Sequence, residues 1–155
     1  MILADTSAWV EDDRVTGSQA DQRLLDLISA NGPLAVTQPV IMEVVAGAGS
    51  DDREADRRRL LLRFTLLDVD AAADVEAAAR IHRHCCRAGV TLRGMADCLI
   101  ASVALRNGPC CWRLMSTWSG WRPSSESISM TRQLELERDT RRPPHEWARV
   151  LRRSA

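Results

Sequence analysis

Met1-Ile2-Leu3-Ala4-Asp5-Thr6-Ser7-Ala8-Trp9, MILADTSAW, opens the chain with four apolar residues, one carboxylate and two hydroxyls. A short apolar run of this kind reads as a buried parallel strand, which leaves Asp5 at its carboxyl end. Thr6 or Ser7 is then competent to cap a helix containing Trp9 and Val10. The same segment has acid where a secretory leader needs base and apolar length, so a cytoplasmic protein is expected.

The pattern repeats outward from this stretch. Gly17-Ser18 restarts a helix with apolar positions at Leu24, Leu25, Leu27 and Ile28, ended by Asn31-Gly32-Pro33. Leu34-Ala35-Val36 is a second short strand, and Gln38-Pro39 leads into a helix from Val40 to Ala46 with Gly47 past its end. Asp51 to Phe64 reads as an arginine-rich helix whose core side is Leu60-Leu61-Leu62. A strand around Leu66-Leu67-Asp68-Val69 follows. Ala71 to Arg87 is alanine-rich and helical, with Val75, Ala78, Ala79 and His82 on one stripe, closed by Gly89. A last helix carries Asp97, Leu99, Ile100, Val103 and Ala104 and stops at Asn107-Gly108. Short strands alternating with helices define an α/β domain with a central parallel β-sheet flanked by α-helices.

Composition excludes several classes. The chain has 155 residues, 45% hydrophobic and 27% charged, which is ordinary for a globular domain. No run of about 18 apolar residues is present to span a membrane. Five cysteines, four of them in two adjacent pairs, do not form a disulfide framework and read as free thiols. All 21 basic residues are arginine, which points to a GC-rich coding sequence. Residues 1–109 carry 12 Arg against 16 Asp and Glu, whereas residues 110–155 carry 9 Arg against 5 acids. The chain changes character near Pro109.

Three acids stand where solvated charges rarely do. Asp5 ends a strand, Glu43 lies inside the apolar helix Val40-Ile41-Met42-Glu43-Val44-Val45, and Asp97 precedes Leu99 and Ile100. Carboxylates flanked by core residues need a partner, because an isolated buried charge is costly. Hard oxygen donors suit Mg²⁺ or Mn²⁺, and the carboxyl ends of parallel strands are where open α/β sheets bind ligands. Structural caps and surface ion pairs are the other reading of the same residues.

The words MILADTSAWVE, PVIMEVVAGA and TLRGMADCLIASVALRNG, in that order and spacing over residues 1 to about 108, resemble the landmarks of PIN-domain ribonucleases, specifically the VapC toxins of bacterial VapBC toxin–antitoxin pairs. The resemblance implies a PIN-like fold and Mg²⁺- or Mn²⁺-dependent cleavage of RNA such as tRNA or ribosomal RNA. It also implies a VapB-like antitoxin as partner, and toxins of this kind commonly form homodimers. Asp5, Glu43 and Asp97 match the family's metal-binding acids, with Thr6 or Ser7 orienting them. Arg93 precedes Asp97 as in related toxins, a place from which it could touch the RNA backbone; an ordinary surface arginine is the other reading.

The resemblance also exposes a departure. The family supplies a fourth acid after its last landmark, in a stretch such as His-x-Asp-x-Asp-Phe. Here Cys110-Cys111-Trp112-Arg113-Leu114-Met115-Ser116-Thr117-Trp118-Ser119-Gly120-Trp121 stands instead, and no Asp or Glu occurs between Asp97 and Glu126. Read one base earlier, codons for Met115-Ser116-Thr117-Trp118 can spell His or Asp, Val, Asp and Leu. A PIN domain over residues 1–109 followed by an atypical tail over 110–155, read as out-of-frame text, is therefore expected, poorly ordered beyond about Pro123. A genuine divergent extension is the alternative. With three acids the site should hold metal more weakly, and a catalytically inactive remnant that binds only antitoxin or a second copy is the competing functional reading.

Three further features have structural explanations. His82 and Cys86 lie four apart on one helical face, a zinc-like spacing, but without a second ligand pair nearby helix packing is the better account. Arg57-Arg58-Arg59, interleaved with Asp51, Asp52, Glu54 and Asp56, reads as a solvated ion-paired helix rather than an RNA guide. Cys98 reads as a small core residue.

Overall fold

A computed structural model describes residues 1–89 and 94–108. Arg93, the tail from Pro109 onward and the expectations attached to them lie outside the described residues.

The described elements run β1 (Ile2–Leu3), α1 (Thr6–Asp13), α2 (Gln19–Ser29), β2 (Leu34–Val36), α3 (Gln38–Ala46), α4 (Asp51–Leu61), β3 (Thr65–Leu66), α5 (Ala73–Arg87) and α6 (Met95–Arg106). The three strands form one parallel sheet in the order β1-β2-β3. Ile2 pairs with Leu34 and Leu3 with Ala35, while Ala35 pairs with Thr65 and Val36 with Leu66. All three residues of β2 are buried. Successive strand residues point to opposite faces, so both faces of the sheet are covered.

The main core joins Leu3, Ala4 and the β2 residues to Ala8 and Trp9 of α1, Leu24 of α2, Val40 and Val44 of α3, Leu61 of α4, and Ile100, Val103 and Ala104 of α6. Trp9 packs on Phe64 at a ring-centroid distance of 5.5 Å. A second cluster, Ala78, Ile81 and Cys85 against Cys98 and Ala101, holds α5 to α6. Burial pushes the Cys98 thiol up to about 11, helped by its neighbours Cys85 and Asp97. Cys98 is thus a protonated core residue, as its sequence context suggested.

Several local expectations shift. Asp5 itself caps α1: its Oδ1 accepts from the Ala8 N–H at 3.0 Å, and Thr6 and Ser7 are the first helical residues. The buried stripe of α5 is Asp74, Ala77, Ala78, Ile81 and Cys85, whereas Val75 and Ala79 are exposed and His82 is half-buried. Cys86 is exposed, and its neighbour Cys85 takes the core position of that turn. Alanines gave that helix little hydrophobic contrast, and the true stripe begins with a charged residue. At the end of α4, Leu61 is buried, and Leu62, just past the helix, is 64% exposed. The strand expected around Leu66 to Val69 reduces to Thr65–Leu66.

Asp74 anchors the α5–α6 pair. Arg106 Nε donates to Asp74 Oδ1 at 3.0 Å and Arg106 Nη2 to Oδ2 at 2.8 Å. The same Nη2 reaches the carbonyl of Asp68, in the segment leaving β3. Asp70 covers the start of α5 by accepting from the Ala72 and Ala73 N–H groups. Among the described residues no helix is long and apolar enough to cross a membrane.

Candidate active site at the carboxyl edge of the sheet

Residues leaving β1 and β2 build the site. Asp5 is the second residue past β1 and is 4% exposed, while Thr37 follows β2 directly and is fully buried. Extending the register of Leu3 with Ala35 by two places sets Asp5 beside Thr37. The sequence did not mark Thr37. Its signal is positional, since it is the residue that parallel pairing lays next to Asp5.

Hydroxyls fix the carboxylates. Ser7 Oγ donates to Asp5 Oδ1 at 2.8 Å, adding to the bond from the Ala8 N–H. Thr6 Oγ1 donates to Glu43 Oε2 at 2.5 Å. One step beyond Asp5, the chain thereby ties α1 to α3 across 37 positions of sequence. Glu43 is half-buried on α3, between the core residues Val40 and Val44. Val40 and Val44, four apart, share the core line of α3, and Glu43, about 100° round the helix from Val44, stands at the flank of that line.

Asp97 lies half-buried in the first turn of α6, where the helix dipole favours negative charge. Ile100 and Ala101, three and four residues on, are buried on the same side. Helix α6 packs against α3. Asp5 thus caps α1, Glu43 lies in the middle of α3 and Asp97 in the first turn of α6, and the Thr6–Glu43 bond links the first two of these positions.

Arg57 supports the arrangement from behind. Its side chain is 14% exposed, ion-paired with Asp13 at the end of α1, and its Nη1 donates to the Val44 carbonyl in the last turn of α3 at 3.3 Å. Arg58 and Arg59 instead pair locally with Glu54 and Asp56 on the surface of α4. The solvated reading of the arginine run holds for Arg58 and Arg59 and fails for Arg57, whose partners are distant in sequence. A cleft of about 160 Å³ adjoins it, lined by Trp9, Asp12, Asp13, Val44, Asp56, Arg57, Leu60 and Leu61.

Among the described residues, no three Asp, Glu, His or Cys side chains stand together as a ready metal-ligand group. The donor chemistry nevertheless fits a hard divalent ion. Mg²⁺ is usually held by one or two carboxylates and keeps several waters, so a closed cage is not required.

This combination of a parallel sheet, helices on both faces and acids at its carboxyl edge is that of a PIN domain, whose family profile matches residues 2–108. The chain belongs to the PIN-domain family and, within it, to the VapC-type ribonucleases. It is 45% identical over 109 residues to Ribonuclease VapC11 of Mycobacterium tuberculosis, a match covering 70% of this chain and 81% of the relative. The same figures hold for a VapC ribonuclease of Mycobacterium bovis. In fold it resembles a chain from the crystal structure of VapBC2 from Rickettsia felis bound to a DNA fragment from their promoter. That likeness has a TM-score of 0.53 and 21% identity, and covers 70% of this chain and 84% of the other.

Proposed function

We propose that this chain is a toxin-type endoribonuclease that cleaves cellular RNA, tRNA or ribosomal RNA, and is neutralised by a VapB-like antitoxin. Asp5, Glu43 and Asp97 are its catalytic and metal-holding acids, and Mg²⁺ or Mn²⁺ is the ion. The single observation that carries this reading is the Thr6–Glu43 bond next to buried Asp5, which ties two of the three family acids to one edge of the sheet. Names of the relatives support the activity, and the Rickettsia complex supports an antitoxin as partner.

Asp5, Glu43 and Asp97 would hold the divalent ion, which would supply Lewis acidity that acidifies water and offsets charge on the phosphoryl oxygens. The chain's own residues do the rest. Ser7 and the Ala8 N–H hold Asp5 in one rotamer, Thr6 turns the Glu43 carboxylate, and Arg57 steadies the far ends of α1 and α3. Arg93 is assigned to the RNA backbone by its place before Asp97 alone.

In this reading the PIN domain occupies residues 1–109 and residues 110–155 form an atypical tail without the family's fourth acid. The lack of any Asp or Glu between Asp97 and Glu126 favours, as second reading, a catalytically inactive remnant that binds only antitoxin or a second copy. One experiment separates the two. Purified full-length chain is incubated with total RNA and Mg²⁺ or Mn²⁺, beside Asp5→Ala and beside a chain whose tail is replaced by the frame-shifted translation. Cleavage by the native chain that disappears in Asp5→Ala supports the enzyme; cleavage by the tail-replaced chain alone identifies a disabled toxin. Cleavage unchanged in Asp5→Ala rejects the assigned site.

A further inference from the structure

We propose that Arg83 and Arg87, with His84 between them, form on the outer face of α5 a track for the phosphate backbone of RNA. The track rests on the RNA-cleaving function proposed above and gives the strand a course beyond the acids.

Charge carries the inference. No Asp or Glu stands between Glu76 and Asp97, while Arg80, His82, Arg83, His84 and Arg87 all fall within α5. At about 100° per residue, Arg80, Arg83, His84 and Arg87 share about 100° of arc and so make one stripe. Arg80 is already matched by Glu76 at 2.5 Å. Arg83, His84 and Arg87 are exposed, and among the described residues neither of these two arginines has an ion pair. Helix α4 is the contrast, because Glu54, Asp56 and Asp13 answer its Arg58, Arg59 and Arg57. The helix dipole accounts for a cation at Arg87, in the last turn of α5. It does not account for Arg83, four positions earlier, since like charges at that spacing repel. An anion held between them is attracted by both.

Packing places the stripe. Arg106 at the end of α6 reaches Asp74 near the start of α5, and Cys85 near the end of α5 shares a cluster with Cys98 near the start of α6. The two helices are therefore antiparallel, and the basic end of α5 lies level with the first turn of α6, which carries Asp97. Arg83 and Arg87 each stand two residues from buried Cys85, about 160° round the helix from it, so they face away from α6. Roughly one helix thickness, about 10–12 Å, lies between stripe and acid. The arginines thus hold phosphates flanking the cut and not the scissile one.

Guanidinium groups donate paired N–H bonds to phosphate oxygens. Across residues 1–109 acids outnumber arginines 16 to 12, so the domain as a whole repels RNA and a local basic stripe decides where the strand runs. Phosphate contacts carry no sequence information, so the track sets affinity and register.

A labelled single-stranded oligoribonucleotide of mixed sequence, titrated with the full-length chain in EDTA over a salt series and read by fluorescence anisotropy, tests the track. Arg83→Gln with Arg87→Gln should weaken binding about tenfold at low salt and flatten the slope of log affinity against log salt by about 1.4, two contacts at about 0.7 each. Glutamine matches arginine in helix propensity, so α5 stays formed. Arg58→Gln with Arg59→Gln removes the same two charges from α4 and should leave the slope unchanged, while Arg83→Lys with Arg87→Lys should restore binding. With Mg²⁺ or Mn²⁺ present, the α5 glutamine pair should raise KM for RNA cleavage at constant kcat, the mark of uniform binding. No binding by the native chain, a native slope in the α5 glutamine variant, an equal loss in the α4 variant, or no rescue by lysine each overturns the proposal. Metal-dependent cleavage by the native chain alongside any of these keeps the proposed function and removes the track alone; binding through the track without cleavage removes the function instead.

Discussion

Asp5 and Asp74 are both nearly inaccessible to solvent, yet the molecule treats them differently. Asp74 is met by the fork of Arg106, so that one buried charge is answered by another. The bonds described for Asp5 come from a hydroxyl and a backbone N–H, donors that orient a carboxylate without cancelling its charge. A paired carboxylate fastens elements together. The donors described at Asp5 set its rotamer at the edge where β1 and β2 end, whereas the Asp74 pair joins the α5–α6 half of the domain.

The comparison breaks most visibly at Asp74. Asp74→Ala should cost about 3 kcal/mol, the lower end for breaking a buried pair, because Arg106 keeps a quarter of its side chain in solvent and partly rehydrates. Urea denaturation checks this, and a loss under about 1 kcal/mol would make the pair incidental.

Asp5→Asn tests the other half. Asparagine caps a helix as well as aspartate, so the melting temperature should hardly move. RNA cleavage should fall about 10²–10³-fold, the range for losing one element of transition-state electrostatics. Equal losses of stability and activity would instead reduce Asp5 to a helix cap. Thr6→Val sharpens the point by removing only the hydroxyl that turns Glu43. A loss of about 10–100-fold in activity or metal affinity is expected, as for other partners of metal-binding side chains.

The smallest effect concerns Asp12. Burial raises its carboxyl pKa, the nearby Asp21 and Asp13 add to the rise, and Arg57 opposes it. A folded-state pKa above the unfolded one stabilises the protein only where the group is protonated, and that contribution is lost as pH climbs through the folded value. Asp12→Asn should therefore raise the melting temperature slightly at neutral pH, and the gain should vanish below the ordinary carboxylate range. A gain that is constant with pH would assign the effect to something other than charge.

Much of this was legible in the sequence where the signal is local. The apolar run ending at Asp5, the strand Leu34-Ala35-Val36 and the helix around Glu43 each announce themselves within a few residues. Asp5, Glu43 and Asp97 stood out because acids among core residues contradict their surroundings. What escaped depends on distant partners. Arg57 looked like its neighbours Arg58 and Arg59 until folding set Asp13 and the Val44 carbonyl beside it. Thr37 acquires its place only when β1 and β2 pair, and the stripe of α5 was obscured because its first buried residue is a charge matched by Arg106.

The strands are short enough to have a consequence of their own. With two Cα pairs joining β1 to β2, the hydrogen-bond ladder alone is a weak ruler. A slip by one residue would displace Asp5 by about 3.3 Å relative to Thr37 and turn each strand side chain to the opposite face. The alignment is therefore enforced from outside the sheet, by Leu3, Leu34 and Val36 seated among the helices. Core substitutions that merely loosen that seating would blur the position of Asp5 before they unfold the protein, so the placement of this carboxylate is the earliest casualty of poor packing.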